Sequence, residues 1–166
     1  MEELKSEIAA AFGNKLRIRV SGICIQKDSI LLIKHLSIGK KEFLWAPPGG
    51  GMNFGESARD CLKREYLEET GLSISVEKLI LVNEFFESPL HAIELFFNVK
   101  IEDGDLTRGF DPELSVKHQI ISEVKFVTFS EIQNMDPETI HGLFKNFKVA
   151  SDFLKPLEFL ENITIL

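Results

Sequence analysis

The sequence predicts an α/β domain in which a mixed sheet is sandwiched between helices. Two observations support this fold class: strand-like segments stand on both sides of one helix with clear start and stop signals, and both ends of the chain have helical periodicity. The chain has 166 residues, a common size for one domain, and buries about two-thirds of its unfolded surface. We therefore expect a single domain over residues 1–166, with a core at about 15–135 and a helical C-terminal extension over 136–166.

The first part of the chain predicts a short helix and then a β-hairpin. Met1–Phe12 has the spacing of an amphipathic helix. Lys15–Gln26 alternates between apolar and charged residues, and Asp28-Ser29 provides a turn into the apolar run Ile30–His35. We expect these two strands to pair with each other.

The central helix has clear boundaries in the sequence. Ser57 is a residue type that caps helix N-termini, and no helix breaker follows before Thr70. Gly71 stands where a left-handed C-cap is expected. A stripe of small and apolar residues follows the 3.6-residue period and predicts the buried face: Ala58, Cys61, Leu62 and Tyr66.

Strand patterns return after this helix. Ser73–Ser88 and His91–Ile101 are separated by a proline, and Gln119–Phe129 is a third strand-like run. Glu102–Pro112 is predicted to be an acidic loop, and Ser130 is expected to cap a turn of helix.

From Met135 onward the pattern is helical and rich in phenylalanine. The residues expected on its apolar face are Ile140, Leu143, Phe144 and Phe147. This face has two interpretations: it packs on the sheet, or it forms the surface of a homodimer.

Composition and charge limit the function classes. The chain is 44% hydrophobic and 27% charged, which is typical of soluble globular proteins. Its formal net charge of −7 and its lack of a basic block argue against a nucleic-acid partner. Cys24 and Cys61 have neither a disulfide framework nor zinc-ligand spacing. The sequence shows no signal peptide and no apolar run long enough to span a bilayer, so we expect no membrane partner and a cytoplasmic location.

Three glutamates of the central helix form a candidate cation site. Glu65, Glu68 and Glu69 are related as i, i+3 and i+4, which places their carboxylates on one side of the helix. Like charges at this spacing repel by roughly a few tenths of a kcal/mol per pair. A hard divalent cation such as Mg²⁺ relieves that repulsion, because it prefers carboxylate oxygens. The alternative is a solvated acidic face, which would explain this spacing taken alone.

The glutamates belong to a longer pattern, Gly50–Leu72, which is written G-x5-E-x7-R-E-Y-L-E-E-T-G-L. This pattern resembles the signature box of the Nudix hydrolases, and the preceding Trp45–Gly51 segment, WAPPGGG, resembles that family's W-x-x-P-G-G lead-in. The resemblance implies an α/β/α sandwich. It also implies an enzyme that splits a phosphoanhydride in a nucleoside diphosphate linked to another moiety, such as ADP-ribose, a nucleotide sugar or a nucleoside triphosphate.

The resemblance further implies a metal site and a general base. Glu65, Glu68, Glu69 and the carbonyl of Gly49 match the positions that hold Mg²⁺, or Mn²⁺ in its place. The cations neutralise charge that develops on the leaving group and acidify the attacking water. In the family the base varies between a glutamate of the box and one in a later loop. Glu65 is the candidate within the box, and Glu113, in the loop GFDPELS, is the candidate outside it.

Four other box positions are expected to shape the site. Arg64 is expected to belong to the catalytic residues, where it fixes the rotamers of the neighbouring glutamates. Glu56 matches the position that braces the loop, and Gly50 and Gly71 match the structural glycines of the box.

Some features depart from the family pattern or leave the substrate open. Tyr66 stands where an aliphatic residue is usual, which is tolerable if its hydroxyl has a partner, and Asn53 stands where related enzymes often carry an acid. Pro89 lies close to the position at which enzymes acting on ADP-ribose tend to carry a proline. No histidine has a spacing that suggests a metal site, and no substrate-binding residue is assigned. The alternative function is a Nudix-fold sensor that binds a nucleotide sugar without cutting it.

Overall fold

The structure is a computed structural model that describes residues 6–7, 9–10, 12–112, 119–155 and 158–163. Within these residues the strands are β1 (Leu16–Ile23), β2 (Ile25–Gln26), β3 (Ser29–Leu36), β4 (Phe43–Ala46), β5 (Gly49–Gly51), β6 (Ser73–Glu87), β7 (Leu90–Asp103), β8 (Ile121–Thr128) and β9 (Glu158–Ile163). The helices are α1 (Ala58–Thr70) and α2 (Phe129–Asn134), followed by 3-10 helices at Gly142–Lys145 and Ala150–Leu154. No helix among the described residues is both long enough and apolar enough to cross a membrane.

The strands form two sheets. The larger has the order β5-β1-β7-β6-β9, and in the smaller β3 pairs with β4 and β8 and, at its start, with β2. Strand β1 is parallel to β7 and antiparallel to β5, so Ser21 lies between Phe96 and Gly49. This mixed pairing confirms the predicted class, although the strands divide between two sheets. The glycine-rich lead-in is held as the edge strand β5, directly beside β1.

Helix α1 begins and ends where the sequence predicts. The Ser57 side chain accepts a hydrogen bond from the Asp60 N–H, and Gly71 adopts a left-handed conformation with φ 72°. In the predicted apolar stripe, Cys61, Leu62 and Tyr66 are fully inaccessible to solvent, and Ala58 is partly buried. Burial of this stripe against the strands fixes the rotation of α1 and therefore the direction of its glutamates.

The predicted N-terminal hairpin is only partly correct. Residues 6–7, 9–10 and 12 are helical, and the rest of the predicted first helix lies outside the described residues. Strand β1 pairs with β5 and β7 in the larger sheet, and only the two-residue β2 forms a hairpin with β3. The alternation of β1 predicted a strand correctly, but periodicity within a strand does not specify its partners.

The helix after β8 begins earlier than predicted. Its N-cap is Thr128, whose side chain accepts the Glu131 N–H while the Glu131 carboxylate accepts the Thr128 N–H. Ser130 lies inside the first turn and is not the cap. The reciprocal capping box satisfies two backbone donors at once, which explains why the earlier threonine is used.

The C-terminal extension is less helical than predicted. It contains two short 3-10 helices and then β9, which pairs in parallel with β6 and places Phe159 opposite Val82. The Phe147 and Phe153 rings stack at 4.7 Å between centroids, and both rings are buried in the core. The described part of this segment therefore packs onto the domain, in agreement with the first of the two interpretations above.

Candidate active site

A cavity of about 220 Å³ is lined by residues of both sheets and of α1. Glu65 and Glu69 line it from α1, and Gly49 and Gly50 line it from β5. Both carboxylate side chains are buried, with residue exposures of 6% for Glu65 and 5% for Glu69. Buried carboxylates require hydrogen bonds or a cation, because desolvating a charge is costly.

Gly49 holds Glu69 through its backbone. The Gly49 N–H donates to Glu69 Oε2 at 2.8 Å, and the Gly49 carbonyl accepts from Arg19 Nη2 at 3.4 Å. A side chain at Gly49 would place its Cβ 2.0 Å from the Val20 carbonyl oxygen. Only glycine permits this close approach of β5 to β1. The second oxygen of Glu69 lies 3.8 Å from His35 Nε2.

Gly50 is required by the neighbouring glutamate. A Cβ at this position would lie 2.3 Å from the Glu65 carboxyl carbon. The backbone of β5 therefore rests directly on a carboxylate of α1. This contact places β5 and Glu65 side by side at the cavity.

Arg64 is surrounded by three carboxylates. Its Nε and Nη2 donate to the two oxygens of Glu56 at 2.9 and 3.1 Å. Its Nη1 donates to Glu65 Oε1 at 2.7 Å and to Glu68 Oε2 at 3.2 Å. The hydrogen bond from Arg64 lowers the pKa of the Glu56 carboxyl to about 2. These contacts gather three carboxylates around one guanidinium.

The donor set fits a hard divalent cation, although it is not gathered around one point. Among the described residues no three His, Cys, Asp or Glu side chains converge into a formed metal site. Glu65 and Glu68 turn towards Arg64, and Glu69 turns towards the Gly49 N–H. Three carboxylates with nearby backbone carbonyls nevertheless form the all-oxygen set that Mg²⁺ prefers. Coordination would require these carboxylates to give up part of their present contacts.

Comparison with known proteins identifies the family. A model described as the NUDIX domain matches residues 15–147. The chain belongs to the Nudix family. It is 34% identical over 99 residues to an ADP-ribose pyrophosphatase of Methanocaldococcus jannaschii, covering 57% of this chain and 56% of that protein. The matched segments span between 34% and 64% of the curated relatives' own lengths.

Solved structures agree with the Nudix fold. A NUDIX hydrolase from Nitrosomonas europaea superposes with a TM-score of 0.65 at 23% identity, covering 78% of this chain and 83% of that one. A MutT protein from Methanosarcina mazei Go1 gives a TM-score of 0.64 at 21% identity, covering 81% and 91%. At these identities the likeness shows the fold alone.

The loop after β7 is tied to the last turn of the Nudix helix. We call Thr107–Phe110 the strap. The N–H groups of Thr107 and Gly109 donate to the carbonyls of Thr70 and Glu69 at 2.9 Å, and the Phe110 N–H reaches the Glu68 carbonyl at 3.3 Å. These bonds satisfy carbonyls that a helix C-terminus otherwise leaves unpaired.

The strap leads to an acidic residue in the cavity. Asp111, which follows it directly, lines the cavity together with Glu65 and Glu69. The Gln119 side chain donates to the Asp111 carbonyl at 2.8 Å and accepts the Asp111 N–H at 2.7 Å. Glu113, the predicted alternative base, lies within 113–118, outside the described residues.

The sequence analysis did not identify four polar residues that line the cavity. Arg17, Arg19, Glu94 and His141 all line the cavity. The arginines alternate with apolar residues along β1, and the side of the strand that carries them faces the cavity. Glu94 is the only acid of β7 before the last two residues of the strand, and its isolation within a mainly apolar run was the available signal. His141 comes from beyond β8, and no spacing connects it to the others.

Proposed function

We propose that this Nudix protein hydrolyses a phosphoanhydride bond in a nucleoside diphosphate linked to another moiety, with Mg²⁺ or Mn²⁺ as its cation. The observation that supports this most directly is the joint burial of Glu65 and Glu69 beside the Gly49–Gly50 backbone on one cavity wall. A bound divalent cation supplies charge neutralisation for the diphosphate and lowers the pKa of the attacking water.

In this proposal the residues of the box have separate roles. Glu65, Glu68, Glu69 and the Gly49 carbonyl hold the cation. Glu65 is also the candidate base, because its carboxylate lies at the cavity wall. Arg64 keeps Glu65 and Glu68 oriented through hydrogen bonds of 2.7 and 3.2 Å.

Two arginines of β1 supply the positive charge that an acidic protein needs to attract a diphosphate. Arg17 and Arg19 line the same cavity as the two buried glutamates. They offset local negative charge in a chain whose net charge is −7. ADP-ribose is the first substrate to test, since the Methanocaldococcus jannaschii relative is named for it.

The test is a hydrolysis assay with purified protein, Mg²⁺ and a panel of ADP-ribose, UDP-glucose and nucleoside triphosphates. We expect turnover of at least one compound, its loss in EDTA and its return with Mg²⁺ or Mn²⁺. Glu69→Gln should lose turnover, and Glu87→Gln, which changes an exposed glutamate on β6, is the matched control. Binding of a panel member without turnover would reject the enzyme in favour of the sensor.

A further inference from the structure

The larger sheet presents a row of three polar side chains to the domain interior. Arg19 on β1 is in register with Glu94 on β7, and Glu94 is in register with Asn83 on β6. Residues in register on neighbouring strands project from the same face of a sheet. Arg19 also reaches the Gly49 carbonyl, so this row begins beside the glutamates of the box.

Glu94 is a buried carboxylate whose two oxygens have different surroundings. Oε2 accepts from Asn83 Nδ2 at 2.7 Å and lies 3.2 Å from His141 Nε2. His141 Nδ1 accepts the Leu143 N–H, so Nε2 carries the hydrogen that is donated to Glu94. Oε1 instead faces Arg19 Nε at 3.9 Å, which is too long for a hydrogen bond.

Glu94 remains ionised in this environment. Burial by itself raises the pKa of its carboxyl, but the hydrogen bonds of His141 and Asn83 and the attraction to Arg19 outweigh burial and lower it. The side chain is only 10% exposed, yet the residue lines the cavity. A charged acceptor held in this way can bond a ligand strongly, because little water competes for it.

The neighbouring row leaves space for a ring. Ala92 lies in register between Arg17 on β1 and Phe85 on β6, and all three line the cavity. Because the side chain of Ala92 is small, it leaves a depression in the sheet surface between the Arg17 guanidinium and the Phe85 ring. Phe12 stands over Arg17, with its ring centroid 4.1 Å from the guanidinium carbon. A planar group of a ligand fits between such aromatic and guanidinium surfaces.

We propose that Glu94 is a specificity-determining residue whose Oε1 accepts a hydrogen bond from an N–H or O–H donor of the substrate, beside a ring seated over Ala92. This inference rests on the proposed function, since it assigns the part of the substrate that the box does not contact. The donor is either the amino group of a nucleobase or a hydroxyl of a sugar. The experiment below distinguishes these two donors.

Glu94→Gln makes a sharp probe because the contacts on Oε2 control how the amide orients. Asn83 and His141 both donate to that position, so the carbonyl oxygen of the new side chain takes it. The amide NH₂ then points towards Arg19 and the cavity. The substitution thus converts the acceptor that faces the ligand into a donor while it preserves the size of the side chain.

The experiment compares kcat/KM for ADP-ribose, its inosine counterpart and its 2′-deoxy counterpart in the wild type, Glu94→Gln and the control Glu87→Gln. If the donor is the adenine amino group, the wild type and the control prefer ADP-ribose over the inosine compound by about 10–100-fold, the range for a hydrogen bond to a charged group. Glu94→Gln then removes or reverses that preference. If the donor is the hydroxyl, the same change occurs in the ratio to the deoxy compound. Equal ratios in all three proteins for both pairs would overturn the proposal.

Two further measurements keep the result decisive. If the wild type hydrolyses none of the compounds, the proposed function fails, and the same ratios taken from dissociation constants decide the role of Glu94 separately. If Glu94→Gln does not fold by circular dichroism, Ala92→Leu replaces it. The leucine side chain would fill the space between Arg17 and Phe85 in which the ring is proposed to lie. It should raise KM at least about tenfold with kcat retained, which is the result expected when only substrate binding is lost. An unchanged KM would refute the seating of the ring.

Discussion

Gly109→Ala should uncouple the loop after β7 from the helix that carries the proposed catalytic glutamates. A Cβ at Gly109 would lie 1.8 Å from the Glu68 carbonyl oxygen and 2.7 Å from the Glu69 carbonyl carbon. Gly109 does not adopt a positive φ, so the requirement for glycine here is one of space. Because the obstructing atoms are helix backbone, the strap must move away from α1 by roughly 1.5 Å to reach an ordinary contact distance.

The magnitude follows from the bonds that this movement breaks. The Gly109 and Phe110 N–H groups lose their carbonyl partners on α1 at 2.9 and 3.3 Å. Two such bonds stabilise the fold by about 1–3 kcal/mol, which corresponds to a melting temperature lower by roughly 2–12 °C in a domain of this size. The same shift moves Asp111 relative to Glu65, and misplacement by about 1 Å can cost about 100-fold in rate.

The assay is steady-state hydrolysis of the substrate found in the panel, together with thermal unfolding followed by circular dichroism. We expect kcat per folded molecule to fall about 10–100-fold with a lower melting temperature. Arg108→Ala is the matched control: it changes an exposed side chain of the strap and leaves the backbone bonds in place, so both values should stay near those of the wild type. A Gly109→Ala protein with unchanged kcat would refute the positioning role of the strap, even if it melts earlier.

Three further outcomes are expected. Glu68→Gln should retain the wild-type melting temperature within a few degrees but lower kcat by about two orders of magnitude or more, measured in the same assay, since it removes a ligand of the proposed cation that stabilises charge in the transition state. The folded-state pKa of Glu56 is lowered to about 2, so its ionised form stabilises the protein above its unfolded pKa. That stability is lost as the pH falls from about 4.5 towards 2, and acid unfolding curves of Glu56→Gln should lack this component. Tyr66→Phe should lower the free energy of unfolding in urea by about 1–3 kcal/mol, because the Gly22 carbonyl loses a buried donor at 2.8 Å.

The parts of the fold that the sequence predicted are those specified by local interactions. The caps of α1 at Ser57 and Gly71 depend on residues within one turn, and the buried stripe depends on helical spacing. The pairing of β1 was wrong because strand partners are chosen by the whole sheet. The pairing of β1 with β7 joins residues more than seventy positions apart, as in Arg19 with Glu94.

The distinction between local and long-range interactions also explains which residues of the site could be predicted from the sequence and which could not. The box places its glutamates on one helix, so their position on one side of that helix follows from spacing alone. Arg19, Glu94 and His141 meet only because two sheets close around a cavity. Each of them has an ordinary explanation in its own strand or loop. Substrate specificity is therefore expected to depend on those residues that a sequence motif cannot identify.

Tyr66 shows how a departure within the box depends on a distant position. The sequence indicated that a tyrosine in place of an aliphatic residue would need a partner for its hydroxyl. That partner is the Gly22 carbonyl on β1, and a Cβ at Gly22 would lie 2.4 Å from the Tyr66 ring. The large residue on α1 thus requires both an acceptor and a missing side chain on the neighbouring strand. Strand β1 also carries Arg19 and pairs with Gly49. The contact between Tyr66 and Gly22 therefore helps to hold α1 at a fixed distance from these cavity residues.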